Sequence, residues 1–149
     1  MRLTLHFVKD ASAQEGRMAL YTTVGSTLPK TVYTNMQLSD EIADRLSKCF
    51  VIPLGMRARV RRVQVHTDAP NGAEVILKVY RVVTDENDTG IEILRVPVTS
   101  PGTVEVNMEG YAIGPSPGTM ALEARWYLYS ADDTARNVTC TLELELEEA

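Results

Sequence analysis

The sequence predicts an all-β fold: an antiparallel β-sandwich of about eight strands with one short helix. Three observations carry this. Apolar residues take every second place along much of the chain, as in Met120, Leu122, Ala124, Trp126 and Leu128, and again in Val138, Cys140, Leu142, Leu144 and Leu146. Side chains on a strand point to opposite faces with a period of two, so each run has one dry face and one wet face. The runs are short and separated by turn-rich pieces, as strands of a sandwich or barrel are. The 149 residues, 44% hydrophobic and 23% charged, have an ordinary globular composition. They suffice for one domain, residues 1–149, burying roughly 70% of its unfolded surface.

Residues 3–8 open the chain as a strand, with Leu3, Leu5 and Phe7 between polar neighbours. That alternation has neither a continuous apolar segment nor a small-residue cleavage site, so no signal peptide is expected and synthesis inside the cell is the default. Residues 10–16 read as a polar turn and 17–24 as a second strand, with Met18, Leu20 and Thr22 in phase. Residues 25–30 break it and 31–36 form a short extended piece. In 39–49, Ile42, Leu46 and Cys49 recur at helical spacing. Ser39 or Asp40 suits the cap, and acidic residues suit the positive end of the helix.

From Met56 onward the pattern is β. Residues 57–67 slip phase by one at Arg61-Arg62, which is what a β-bulge produces. Pro70-Asn71-Gly72 is a turn. Residues 74–83 are apolar on both faces through Val75, Leu77, Val79 and through Ile76, Tyr80, Val82, so that strand is central or covered. Residues 91–99 and 103–109 are two more strands. Residues 110–118 hold too many prolines and glycines for regular structure. The last two runs, joined by a polar turn at 130–137, read as a hairpin.

Candidate chemistry is sparse. His6 and His66 fall on polar positions of strands and read as solvated-face histidines, and no serine or cysteine beside them has a nucleophile's setting. Cys49 and Cys140 make neither a disulfide framework nor a zinc set. Asp85, Asn87 and Thr89 alternate before Gly90 like half a calcium loop, but Val96 stands where a bidentate Glu is needed, so an acidic turn is the reading. No apolar run approaches the roughly 20 residues of a membrane helix. The net charge of −5 argues against a nucleic-acid coat, and the cluster Arg57, Arg59, Arg61, Arg62 has no aromatic platform beside it. That basic stripe matches the period of Glu143, Glu145 and Glu147. The two can pair across neighbouring strands or between subunits, a candidate assembly interface. Tyr127 and Tyr129 share the outward face of their strand and read first as a pair packed against cross-strand neighbours such as Arg or Leu, with stacking on a sugar or anchoring a partner as the functional alternative. No cofactor or metal is expected, and the chain reads as non-enzymatic.

One resemblance adds to this. The stretch Val51-Ile52-Pro53-Leu54-Gly55-Met56, the strand with Val60, Val63 and Val65, the Pro-Asn-Gly turn and the strand Glu74-Val75-Ile76-Leu77-Lys78-Val79-Tyr80 are similar to small jelly-roll structural proteins of tailed bacteriophages. These include capsid decoration (cement) proteins and tail or fibre modules. The likeness covers about two thirds of the chain, from residue 50 onward, and is one of pattern. It implies a jelly-roll-like sandwich acting as a symmetric homo-oligomer, a trimer above other states, on the major capsid protein or other virion proteins. It also implies location in the virion after synthesis in the host cytoplasm, with neither nucleic acid nor membrane as partner. Residues 1–49 then stand as a candidate assembly arm. A carbohydrate- or receptor-binding module using Tyr127, Tyr129 and Tyr111 is the alternative.

Overall fold

The computed structural model describes residues 1–9, 15–22, 39–68, 73–115, 120–128 and 137–149. Among these lie β1 (Arg2–Val8), β2 (Glu15–Arg17), β3 (Ala19–Thr22), α1 (Asp40–Lys48), β4 (Phe50–Ile52), β5 (Met56–Thr67), β6 (Ala73–Tyr80), β7 (Ile91–Val98), β8 (Gly102–Ile113), β9 (Met120–Leu128) and β10 (Thr139–Glu148). One antiparallel sheet runs β3-β1-β10-β5-β8 and the other β2-β9-β6-β7, with β4 pairing β9 further along the edge that β2 uses. The first strand lies beside the last, and β7, β8, β9 and β10 alternate between sheets. This is the double Greek-key wrapping of a jelly roll.

The inner faces meet in one core. Phe7, Val63, Cys140 and Leu142 from the first sheet pack with Leu77, Leu122, Ala124 and Trp126 from the second. The periodicity of β9 and β10 was legible, but their expected pairing as a hairpin is overturned. β10 lies between β1 and β5, while β9 lies in the opposite sheet beside β6. The link between them is long enough to cross the roughly 10 Å separating stacked sheets, so adjacency in sequence becomes opposition across the core. β6, apolar on both faces, is central as expected, between β9 and β7.

Three further expectations change. Residues 17–24 do not form one strand: β2 pairs with β9 and β3 with β1, and the chain changes sheets at Met18. Met18 is buried, and its N–H donates to the Ala124 carbonyl at 2.8 Å. Such corner-turning belongs to strands that serve both sheets. Residues 50–52, not foreseen as a strand, form β4 because their backbone extends the ladder of β9. β8 does not stop at residue 109. It bulges through Glu109 (φ 53°) and Gly110 (φ 76°) and resumes pairing, with Tyr111, Ala112 and Ile113 opposite Val60, Arg59 and Ala58. The left-handed backbone at Gly110 favours glycine, and the end of the Arg61 side chain lies against it.

The bulge foreseen in β5 is present. Glu143 is opposite Arg62 and Leu144 opposite Val60, leaving Arg61 as the extra residue. It lets Val60 and Val63 both face the core while all four arginines reach the outer side. α1 also stands where expected. Ser39 caps it, its Oγ accepting from the Ile42 N–H at 3.2 Å, and Ile42, Leu46 and Cys49 are buried. The turn at 70–72, the pieces at 25–36 and Tyr129 lie outside the described residues.

The packing makes a graded prediction for urea denaturation. Leu142→Ala, at a fully buried central position, should lose about 2–5 kcal/mol. Ser39→Ala should lose about 1 kcal/mol through the cap, and Leu54→Ala, largely exposed, no more than about 0.5 kcal/mol.

Candidate functional site

The outer face of the first sheet brings together the basic and acidic stripes. Arg59 Nε donates to Glu147 at 2.6 Å and Arg57 Nη1 to the same carboxylate at 3.4 Å. Arg61 bonds Glu145 at 2.6 Å, and Arg62 reaches Glu143 at 2.5 Å and Glu105 at 3.3 Å. Arg57, Arg59, Arg61, Glu143 and Glu145 therefore share one surface, as a ladder within a single chain across β10 and β5, extended to β8 by Glu105. Arg61 and Arg59 hold Glu145 and Glu147 below the ordinary carboxylate value. All these side chains are about a third to a half exposed and screened by water, so the pairs fix register more than stability. A concavity of about 320 Å³ sits in this face beside Arg2, Thr4, Arg61 and Glu143.

The second sheet is different. α1 covers its outer face, where Ile42, Leu46 and Cys49 pack on Val51, Val83 and Ala121 in a second apolar layer. Beneath the helix lies a buried polar network that sequence reasoning missed. Glu123, on the wet phase of β9, is 0% exposed. It accepts from Arg17 Nε at 2.6 Å, the Tyr80 hydroxyl at 2.5 Å and Arg125 Nε at 2.9 Å. Arg17 also donates to Glu41 and, at 2.9 Å, to Asp44, both on α1. Burial alone would lower the Arg17 pKa, but its bond to Glu41 and the charge of Glu123 outweigh burial and raise it. Burial and the Glu123 charge push the Tyr80 hydroxyl up. Arg45 stacks on the Tyr80 ring, 4.0 Å from its centroid, and donates to the carbonyls of Val83, Asp85 and Asp88 at 3.0 Å each. Period-two patterning puts Glu123 and Arg125 on a solvent face. The available signal was indirect: an amphipathic helix needs an apolar surface to cover, and Val51, Ala121 and Tyr80 supply one.

Tyr127 is half-buried on this outer face and hydrogen-bonded by Arg125, so it is committed to the rim of the network. Its proposed companion, Tyr129, is outside the described residues. The acidic turn at 85–90 caps itself. Asp88 accepts from the N–H groups of Arg81, Val82 and Gly90, and Asp85 from that of Asn87. His6 bonds Thr141 at 3.1 Å. His66 bonds Thr103 at 2.9 Å and Asp68 at 3.0 Å on an exposed surface. Burial pushes both thiols, Cys49 and Cys140, up to about 12.

No family model matches the chain, and no curated protein matches it either.

Two predictions follow from the covered face. The Arg17 hydrogen bond holds Glu41 below its ordinary value of 4.5. Bonds from Lys48 and Arg17 outweigh burial to hold Asp44 below 3.8. The stability these carboxylates add is complete above about pH 5 and is lost as pH falls through their folded values. The urea midpoint should therefore fall as pH drops below the ordinary carboxylate value of 4.5, less steeply in Glu41→Gln. Native protein should leave both thiols unlabelled by DTNB until denaturant is added. Fast labelling of Cys49 would contradict the packing of α1.

Proposed function

We propose that the chain is a non-enzymatic virion structural protein, a capsid decoration module that binds and stabilises the capsid lattice as a symmetric oligomer. The observation that carries the reading is the first sheet's outer face, where rows of arginine and glutamate lie side by side on a broad exposed surface. Such a face can meet another protein surface, or a second copy of itself, by exchanging ion-pair partners. A two-fold axis parallel to the strands and running between β5 and β10 would set each glutamate row over the other copy's arginine row. The jelly-roll order supports the reading more generally, since viral capsid domains use it. Lectins use it too, so fold alone does not decide. Binding that adds contact area only in the assembled state stabilises that state by mass action.

The carbohydrate-module alternative retains one favourable observation, the exposed ring of Tyr111, whereas Tyr127 is engaged by Arg125. A soluble glycan that shifts tyrosine or tryptophan fluorescence, with loss of the shift in Tyr111→Ala, would favour it.

Three measurements test the decoration reading. Mass spectrometry of purified particles should find a copy number comparable with the major capsid protein. Sedimentation should show an oligomer that weakens at about 1 M salt, where charge pairs are screened over roughly 3 Å. Arg59→Glu should keep its fold but lose oligomer and particle binding. Absence from particles, or an Arg59→Glu variant that assembles normally, overturns the reading.

A further inference from the structure

Among the described residues the sandwich is open along one side. There its sheets end in β7 and β8, each paired on one edge only among the described residues. Side chains on the inner phase of these strands stay part-exposed: Ile91 is 44% exposed, Val104 42% and Tyr111 46%. The gap deepens into a pocket of about 160 Å³ whose lining includes Val79, Ile91, Ile93, Tyr111, Ile113 and Met120, with Arg81 beside them.

Size and charge narrow what fits. Pockets for cofactors and metabolites run to about 300–1,000 Å³, whereas an apolar cavity of about 150 Å³ is filled by benzene. This one suits a single ring-sized or branched apolar side chain. Arg45, Arg57, Arg59, Arg61, Arg62 and Arg95 all have carboxylate partners. Arg81 is exposed and has none within salt-bridge distance among the described residues, so a carboxylate brought to the pocket meets an uncommitted cation. The edges differ in protection. β7 carries Pro97, which removes a ladder donor, and β8 bulges at Glu109-Gly110, but Tyr111–Ile113 beside the pocket holds neither proline nor lysine.

We infer that this open side is a docking groove for an extended segment of a partner protein. The segment adds as a strand to the free edge of β8 at residues 111–113. It seats one aromatic or branched apolar side chain in the pocket and offers Arg81 an acidic side chain two residues away, on the same strand face. Main-chain bonds supply affinity, and the pocket and Arg81 supply the choice of sequence. The inference stands apart from the virion reading: the particle experiments can fail while this groove still binds.

The probe is a fluorescein-labelled hexapeptide, Thr-Thr-Phe-Thr-Asp-Thr, read by anisotropy against the full chain. Saturable binding below about 1 mM is expected. Arg81→Glu should weaken it about tenfold or more, and a peptide with Lys in place of Asp should recover binding to that variant. Ile93→Trp, which fills the pocket, should abolish binding, with an unchanged thermal midpoint in Arg81→Glu showing that loss there is not unfolding. Absence of saturable binding, or indifference to Arg81→Glu, overturns the proposal. So does 3-phenylpropanoate binding as tightly as the peptide, which would make this a small-molecule site. A change of sedimentation state in Arg81→Glu would make the occupant a second copy and overturn it as well.

Discussion

The buried Glu123 carboxylate is the constraint on which the arrangement of the second sheet depends. An ion removed from water costs several kcal/mol even after relaxation. Glu123 offsets that cost through three donors, from Arg17, Tyr80 and Arg125. Each donor sits on a different part of the fold. Arg17 ends β2 just before the chain crosses to the other sheet at Met18, and Tyr80 ends β6. Glu41 and Asp44 then reach Arg17 from α1. One carboxylate thereby fixes where the chain changes sheets, where β6 meets β9 and where the helix lies. A buried ion pair is weak evidence for stability, because apolar residues of the same shape can do as well. Its contribution here is positional, since few other placements of α1 satisfy Arg17.

The two outer faces diverge from that point. The second sheet is closed by α1 and by the loop that Arg45 pins through three carbonyls. The first sheet keeps its charges exposed and pairs them across β5, β10 and β8. A bulge in each of β5 and β8 makes this possible, because Arg61 and Gly110 accommodate one another where the ladder is interrupted. The described residues therefore show three kinds of surface: a covered sheet face, a charged open face, and an open side with apolar residues and, among the described residues, an arginine without a carboxylate partner.

Much of the architecture was legible from period and turn chemistry. The strands of the second half, the bulge at Arg61-Arg62, the cap at Ser39 and the burial of Ile42, Leu46 and Cys49 followed from local rules, and the structure has them. Pairing was less legible. A period of two says which face of β9 or β10 is dry but not which strand lies beside it, so a hairpin was read where the strands face each other across the core. Residues 17–24 failed similarly, because a strand that changes sheets keeps its alternation. The matched stripes of the charged face were readable because spacing is a local property. The Glu123 network was not, since its burial is imposed by a helix about eighty residues away in sequence.

The most direct test of the organising pair is a double-mutant cycle on Arg17 and Glu123, using Arg17→Met and Glu123→Leu in urea denaturation. Arg17→Met leaves the buried Glu123 with Tyr80 and Arg125 alone, and Glu123→Leu leaves the buried Arg17 with Glu41 and Asp44 alone, so each single change should cost at most about 3–5 kcal/mol. The double variant, with both charges replaced by apolar groups, should cost far less than the sum of the two. Additive losses, or single variants as stable as the parent, would contradict the role given to this pair.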